Sequence, residues 1–294
     1  EDGIRDIGVT GVQTCALPIS RGTTNPWGMD WDEHGQLFFI NTVIGHLWHV
    51  VPGAYYQRMY GDHFDPHVYQ LLPQTADHFH WDASEESWSD TKRKGVTSGT
   101  DKAGGGHAHQ GMMIYAGDNW PDKYRGQLFT FNFHGRRINV DRLERHGATY
   151  VGRHGNDFMR SGDPWFRGIE MVYGTDGGVY IADWSDIGEC HENDGVHRSS
   201  GRLFKIVYGD TTPMSHDLSK RSSLELVKLL GHRNEWFSRH ARRLLQERAV
   251  NEKGNARQGM SDQDLTEVIE HLQRDFESSD ARSEEHTSEL QSRQ

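Results

Sequence analysis

Cysteine is nearly missing from this chain: two in 294 residues, too few for a disulfide framework. Long apolar runs are missing as well. Only 34% of the residues are hydrophobic, and no stretch approaches the roughly twenty apolar residues that a transmembrane helix needs. Positive charge is in deficit. Thirty-two Lys and Arg stand against 43 Asp and Glu, a formal charge of −11, which is the wrong sign for a nucleic-acid-binding surface. No Cys-x-x-Cys-His occurs, so covalent haem attachment within the sequence is excluded. Neither a nucleophile motif nor a convincing carboxylate pair of the sulfatase or glycosidase kind appears. What the chain has in quantity is Gly, His and Trp, with 33, 19 and 9 of them. It reads as a polar, aromatic-rich chain of one or two domains.

The two ends differ in kind from the middle. Residues 282–292 back-translate, with legitimate codons, to a DNA whose reverse complement encodes Thr10 to Ile19 in another frame. Both resemble a common short-read sequencing adapter, and Glu1 to Asp6 fits the adjoining stretch. Residues 1–19 and 282–294 are therefore expected to be adapter-derived. A signal peptide around Cys15-Ala-Leu-Pro-Ile19 is the competing reading, but its apolar run is short and acidic residues precede it. The natural part would be 20–281, still acidic, with Cys190 as its one cysteine and no targeting signal of its own.

Within that part, three segments share a plan of an aromatic- or Gly-marked opening followed by short apolar runs between Gly turns. The first holds Trp27-Gly-Met-Asp30, Gly35-Gln-Leu-Phe-Phe-Ile40 and Gly45-His-Leu-Trp-His-Val-Val51. The second holds His109-Gln-Gly-Met-Met-Ile-Tyr115, Gly126-Gln-Leu-Phe-Thr-Phe131 and Gly135-Arg-Arg-Ile-Asn-Val140. The third holds Phe166-Arg-Gly-Ile-Glu-Met-Val172, Gly177-Gly-Val-Tyr-Ile-Ala-Asp183 and Gly201-Arg-Leu-Phe-Lys-Ile-Val207. Runs rich in Val, Ile, Phe and Tyr between Gly, Asp and Asn predict strands. Asp176-Gly177 predicts a hairpin turn. Repetition at roughly 40–50 residues suits propeller blades, so residues 20–210 are expected to be the C-terminal part of a β-propeller, about three blades. A β-sandwich explains the strands but not the recurrent Gly-x-Leu-Phe.

From Asp217 the pattern turns helical. Leu224, Leu226, Val227, Leu229 and Leu230 form an apolar stripe that Gly231 is expected to end as a C′ glycine. Trp236, Phe237, Ala241, Leu244 and Leu245 continue on a second helix whose Arg239, Arg242 and Arg243 read as a solvated face. A third helix is expected after Ser261 as N-cap, carrying Leu265, Val268, Ile269, Leu272 and Phe276. Residues 217–281 thus read as the start of HEAT-like repeats, with apolar surface left exposed on the last helices. The fold class is mainly β, a partial propeller followed by a short α-helical segment.

Several motifs occur together: Asn25-Pro-Trp-Gly-Met-Asp30, Gly104-Gly-Gly-His-Ala-His-Gln110, Gly117-Asp-Asn-Trp-Pro121, Asn132-Phe-His-Gly-Arg-Arg137, Asp163-Pro-Trp-Phe-Arg-Gly168 and Asp183-Trp-Ser-Asp-Ile-Gly-Glu-Cys-His191. As a set they resemble the membrane-bound dehydrogenase proteins of planctomycetes and related bacteria. The propeller of that group is similar to that of the quinoprotein glucose and sorbosone dehydrogenases. The resemblance implies a PQQ-dependent oxidation of a sugar or alcohol, with PQQ and Ca²⁺ as cofactors. It also implies HEAT-like repeats, a c-type cytochrome domain as electron acceptor, and a periplasmic or cell-envelope location. A non-catalytic scaffold that binds glycans or a protein partner is the alternative.

Quinone-dependent alcohol oxidation needs a base, a cation near the reduced quinone oxygen and a hard metal ion. His107 and His109 are the candidate bases, against a structural use as carbonyl-bonding histidines. Arg167 is the candidate oxygen clamp, against an ion pair with Glu170. Trp165, Trp184 and Gln110 are candidate cofactor contacts. Asp183, Asp186, Glu189 and His191 are the candidate metal ligands, against a hydrogen-bonded turn beside a buried Cys190 thiol. His63, His67, His78 and His80 add imidazoles in a long insertion, where a metal cluster is the functional reading, against the lack of a paired-ligand spacing. Trp27, Trp81 and Trp120 suit either ring stacking or core packing.

Overall fold

In the computed structural model the described residues run from 19 to 277, apart from 64, 83, 85–96, 189–194, 198, 212–215, 250–265 and 275. The two stretches read as adapter-derived lie outside them, Ile19 excepted.

The chain begins with β1 (Arg21–Gly22), β2 (Pro26–Trp31), β3 (Leu37–Asn41), β4 (Leu47–His49) and β5 (Tyr55–Tyr56). Strands β2, β3 and β4 form an antiparallel meander, while β1 and β5 make a short parallel pair. Helix α1 (Ser98–Ala103), capped by the Thr97 side chain, leads into a second sheet of β6 (His109–Ile114), β7 (Leu128–Asn132) and β8 (Arg137–His146). The long β8 also pairs with β9 (Thr149–His154) along one half and β10 (Met159–Arg160) along the other. A third meander follows, β11 (Gly168–Tyr173), β12 (Val179–Asp183) and β13 (Arg202–Ile206). The strands fall on the apolar runs of the sequence. The Asp176-Gly177 turn forms as expected, with Gly177 at φ +69° and Asp176 Oδ1 accepting from the Gly178 amide.

The opening strands of the three sheets are neighbours, with β6 packed between β2 and β11. Side chains of β6 alternate, so it serves two cores at once. Met112 and Ile114 join Phe38, Ile40 and Leu47 of the first sheet. Met113 and the following Tyr115 join Phe129, Met171 and Ile181 on the other side. Each opening strand carries a register shift near its start, at Pro26/Met29, Gln110/Met112 and Gly168/Glu170. Glycine permits the close approach there. A Cβ on Gly28 would sit 2.9 Å from the Met112 amide nitrogen, and one on Gly111 2.6 Å from the Ile169 carbonyl oxygen. Polar links add to this: Asp30 Oδ2 accepts from the Ile114 amide, and the Gln110 amide donates to the Gly168 carbonyl. Three successive antiparallel sheets of three, five and three strands are thus present, and among the described residues they close no ring.

Tyr115 holds the second and third sheets in register at their far end. Its hydroxyl donates to the Gly177 carbonyl and accepts from the Asn119 and Trp120 amides. Tyr115→Phe should orphan these groups and cost about 2 kcal/mol. The urea midpoint is expected to fall with an unchanged m-value; an unaltered midpoint would contradict the assignment.

After the sheets come α2 (Ser223–Lys228) and α3 (Glu235–Ala249). A capping box between Ser222 and Glu225 starts α2. Gly231 is not a positive-φ C′ residue: Leu229 caps the helix, and Gly231 ends the following 3-10 turn. Arg239 also departs from the solvated face expected of it. Its Nη1 pairs with Asp30 Oδ1 at 2.7 Å and its Nη2 donates to the Trp31 carbonyl, which docks α3 on the first sheet. Arg242 and Arg243 are exposed. A further helix covers 266–274, with Val268 buried and Ile269, Leu272 and Phe276 exposed; Ser261 and Leu265 lie outside the described residues. Among the described residues no helix is long and apolar enough to cross a membrane.

Candidate metal centre

Four segments meet beside the start of β6. His46 ends the β3–β4 turn, where Gly45 takes φ +63° and the His46 amide donates to Gln74 Oε1. Gln74 in turn donates to the His78 carbonyl, tying the 74–82 loop to that turn. His78 and His80, two apart in the loop, both point inward beside Asp141 of β8. The Gly104–Gly106 loop, all at positive φ, lies on top; a Cβ on Gly104 would come within 2.7 Å of the His80 ring. That contact accounts for Gly104, while a Cβ on Gly105 would collide with the Arg137 side chain.

The geometry is tight. His46 Nε2 is 3.2 Å from Asp141 Oδ2, and His78 Nε2 is 3.1 Å from Asp141 Oδ1. His78 Nε2 and His80 Nε2 are 3.2 Å apart. His80 Nδ1 contacts His109 Nε2 at 2.7 Å, and its Nε2 contacts His154 Nδ1 at 3.2 Å. His46, His80, His109 and Asp141 are buried, and His78 is nearly so. One donor atom from each of His46, His78, His80 and Asp141 lies within 4.8 Å of all the others.

Electrostatics set the protonation states. Burial holds His80 and His109 well below the usual imidazole value, and neighbouring imidazoles add to the effect. Burial alone would raise the Asp141 carboxyl, but His46 and His78 keep it far below the ordinary range. Burial opposes the charge on His78, yet Asp141 and Asp77 raise it overall. Metal binding to such a group requires neutral imidazoles and an ionised carboxylate and so releases any proton that His78 holds. This buried His and Asp group is able to bind a metal.

The sequence-derived candidates are spread more widely. His109 joins the cluster as the partner of His80 Nδ1 rather than facing open solvent. His107 is buried with its ring 4.7 Å from that of His134. Arg167 lies over Phe133, and its Nη atoms donate to the carbonyls of Pro164, Phe166 and Ile187; Glu170 is not its partner in these bonds. Gln110 bonds Gly168 across the sheets. Trp165 packs against His197, and half-exposed Trp184 donates to Asp186.

Asp183 and Asp186, expected as Ca²⁺ ligands, are instead committed to protein donors. Asp183 Oδ1 accepts from the Arg167 and Ser185 amides, and Oδ2 pairs with Arg202 at 2.7 Å. Asp186 accepts from Gly188, Trp184 and twice from His197. Glu189, Cys190 and His191 lie outside the described residues. His63 and His67 make contacts of their own, with Tyr55 and Asp65. Sequence reasoning missed His46, Asp141 and His154; for His78 and His80 the signal was the concentration of imidazoles in the insertion, not their spacing.

Three solved structures are similar at low identity. One is described as an oxidoreductase (glucose dehydrogenase) from Thermus thermophilus, at 20% identity and TM-score 0.40, covering 64% of this chain and 46% of that one. A glucose dehydrogenase matches at 15% identity and TM-score 0.36, over 63% of this chain and 45% of its own. Another glucose dehydrogenase matches at 18% and 0.38, over 69% and 49%. The chain thus spans about half the length of these proteins. No curated protein matches. A family model described as a domain of unknown function (DUF7133) matches residues 6–192, more than half of the chain and the whole of the His and Asp cluster, and the chain belongs to that family.

Proposed function

We propose that this chain is a segment of an oxidoreductase of the quinoprotein type that dehydrogenates a sugar or alcohol. Its electrons would pass to a c-type cytochrome domain outside this chain, in the periplasm or cell envelope, and the terminal helices would begin a HEAT-like array. One observation carries the reading. Most of the dehydrogenase-like motifs, scattered along the sequence, converge on one edge of adjacent sheets: Asn25–Asp30 and Gly104–Gln110 where β2 and β6 begin, Asn132–Arg137 between β7 and β8, Asp163–Gly168 where β11 begins, and Asp183 where β12 ends. That edge gathers His107, His134 and Arg167 beside His109, which burial keeps neutral. Neutral imidazole is the form that takes a hydroxyl proton, and a guanidinium favours a developing oxyanion.

The described residues do not fit PQQ or Ca²⁺ by themselves. Arg137 is paired with Asp101 and Asp157, Arg202 with Asp163 and Asp183, and Arg167 is engaged by carbonyls. Ca²⁺ takes six to eight oxygens, and the Asp183 and Asp186 oxygens already accept from protein donors. A bound quinone would have to draw on residues beyond these three sheets. The same commitment favours a second reading, a non-catalytic scaffold for glycans or a protein partner.

Titration of the intact protein with PQQ and Ca²⁺, then a sugar and alcohol screen with a dye acceptor, separates the two. Cofactor binding with turnover is the expected result. Absence of both, with glycan or partner binding intact, would establish the scaffold.

A further inference from the structure

We infer that His46, His78, His80 and Asp141 bind one divalent transition-metal ion of the zinc class, and that this ion pins the first sheet, the second sheet and the 74–82 loop together. The site is independent of the dehydrogenase reading and stands or falls on its own.

Distance is the first argument. A tetrahedral ion with bonds of about 2.0–2.1 Å keeps its ligand atoms about 3.3 Å apart. The contacts here are 3.2 Å for His78 to His80, with the two oxygens of Asp141 shared out between its partners, Oδ1 3.1 Å from His78 and Oδ2 3.2 Å from His46. With the widest separation among the four donors at 4.8 Å, a small inward movement completes the shell.

Proton counting is the second. A neutral imidazole has one N–H and one lone pair. His80 faces three other imidazole nitrogens, those of His109, His78 and His154. If His80 Nδ1 donates to His109 Nε2, its Nε2 carries a lone pair that faces His78 Nε2 and His154 Nδ1, each 3.2 Å away. His78 repeats the arrangement, with Nδ1 3.0 Å from Asp77 Oδ1 and Nε2 facing inward. Metal-bound histidines usually donate their other nitrogen in this way, to a carboxylate or another acceptor that fixes the ring. His46 departs from this pattern: its Nε2 faces Asp141, while its buried Nδ1 has no hydrogen-bond partner.

Chemistry of the donor set selects the ion. Three imidazoles and one carboxylate suit zinc and its first-row neighbours, whereas Ca²⁺ and Mg²⁺ require oxygen-rich shells. Four protein donors in a buried pocket describe a closed, structural site. His46 and Asp141 are 95 positions apart in sequence and sit on different sheets, so an ion between them acts as a cross-link.

Metal analysis of the whole protein, purified without a polyhistidine tag, tests this. About one zinc-class ion per chain is expected. Chelation should lower Tm, and Co²⁺ should restore it with the visible bands of a tetrahedral nitrogen and oxygen site. Asp141→Asn and the more peripheral His78→Ala should each weaken Co²⁺ binding at least about tenfold, while His63→Ala should not. His78→Ala keeps the test decisive if Asp141→Asn fails to fold. No stoichiometric metal in the wild type together with no Tm response to added Zn²⁺ or Co²⁺ would overturn the inference. Full-strength binding in His78→Ala would do the same.

Discussion

Gly111→Ala is expected to separate the second sheet from the third. Gly111 is the extra residue of the bulge in β6, at φ +57°. A side chain in that left-handed region costs about 1–2 kcal/mol by itself. The larger effect is steric. A Cβ there would lie 2.6 Å from the Ile169 carbonyl oxygen and 2.8 Å from the Glu170 Cα. Both are backbone atoms of the neighbouring opening strand, so no side chain can rotate out of the way. Overpacking of this kind adds about 1–3 kcal/mol. A combined loss of about 3 kcal/mol or more should appear as a large fall in the urea midpoint, or as insoluble protein. Gly126→Ala, also at positive φ but with nothing within 4 Å, should cost only the conformational part. Equal losses at the two positions would contradict the close-approach account.

Asp30→Ala should be nearly as damaging, because one carboxylate joins three parts of the molecule. Oδ2 accepts from the Ile114 amide of β6, and Oδ1 accepts from the Trp31 amide and pairs with Arg239 of α3. Truncation leaves a buried amide without its acceptor and a partly buried guanidinium without its charge. Arg239 keeps its bond to Glu235 and can regain some water, so the expected loss is about 3 kcal/mol rather than the full cost of an isolated buried charge. Asp30→Asn retains an acceptor for Ile114 and should lose about half as much. Hydrogen exchange at Ile114 is the local readout. It should accelerate in Asp30→Ala and stay near wild type in Asp30→Asn. Unchanged protection in Asp30→Ala would show that the carboxylate does not hold β2 to β6.

These two residues also mark how far the sequence could be read. The strands were legible because each apolar run is bounded by Gly, Asp or Asn, and because the Gly-x-Leu-Phe pattern recurs. Gly28, Gly111 and Gly168 stood out as members of the repeated openings. Their purpose, letting one opening strand lie on the next, needs the neighbour's backbone and appears only in three dimensions. The helices were found from their apolar stripes, whereas Arg239 was misjudged because Asp30, its partner, is 209 positions away.

The candidate site was less legible. His78 and His80 stood out as imidazoles in a long insertion without paired-ligand spacing, His46 fell inside the Gly45–Val51 strand run, and Asp141 stands one residue past the Gly135–Val140 run. Nothing local marks a carboxylate whose partners are imidazoles from two other segments. The acidic stretch after β12 looked more promising because its carboxylates are close in sequence. In the fold, Asp183 and Asp186 organise a turn, the first pairing with Arg202 and the second accepting from the His197 amide. Nearness along the chain drew attention to that stretch, whereas the His and Asp cluster is assembled from the β3–β4 turn, the 74–82 loop and β8.

The central claim is that the buried imidazoles and carboxylate are a metal site rather than a hydrogen-bonded core. X-ray absorption at the metal edge of the zinc- or cobalt-loaded protein tests it most directly. One ion per chain is expected, with four nitrogen and oxygen ligands at about 2.0–2.1 Å, three of them carrying the outer-shell signature of imidazole. A sulfur ligand, an all-oxygen shell of six or more, or no specifically bound ion would contradict it.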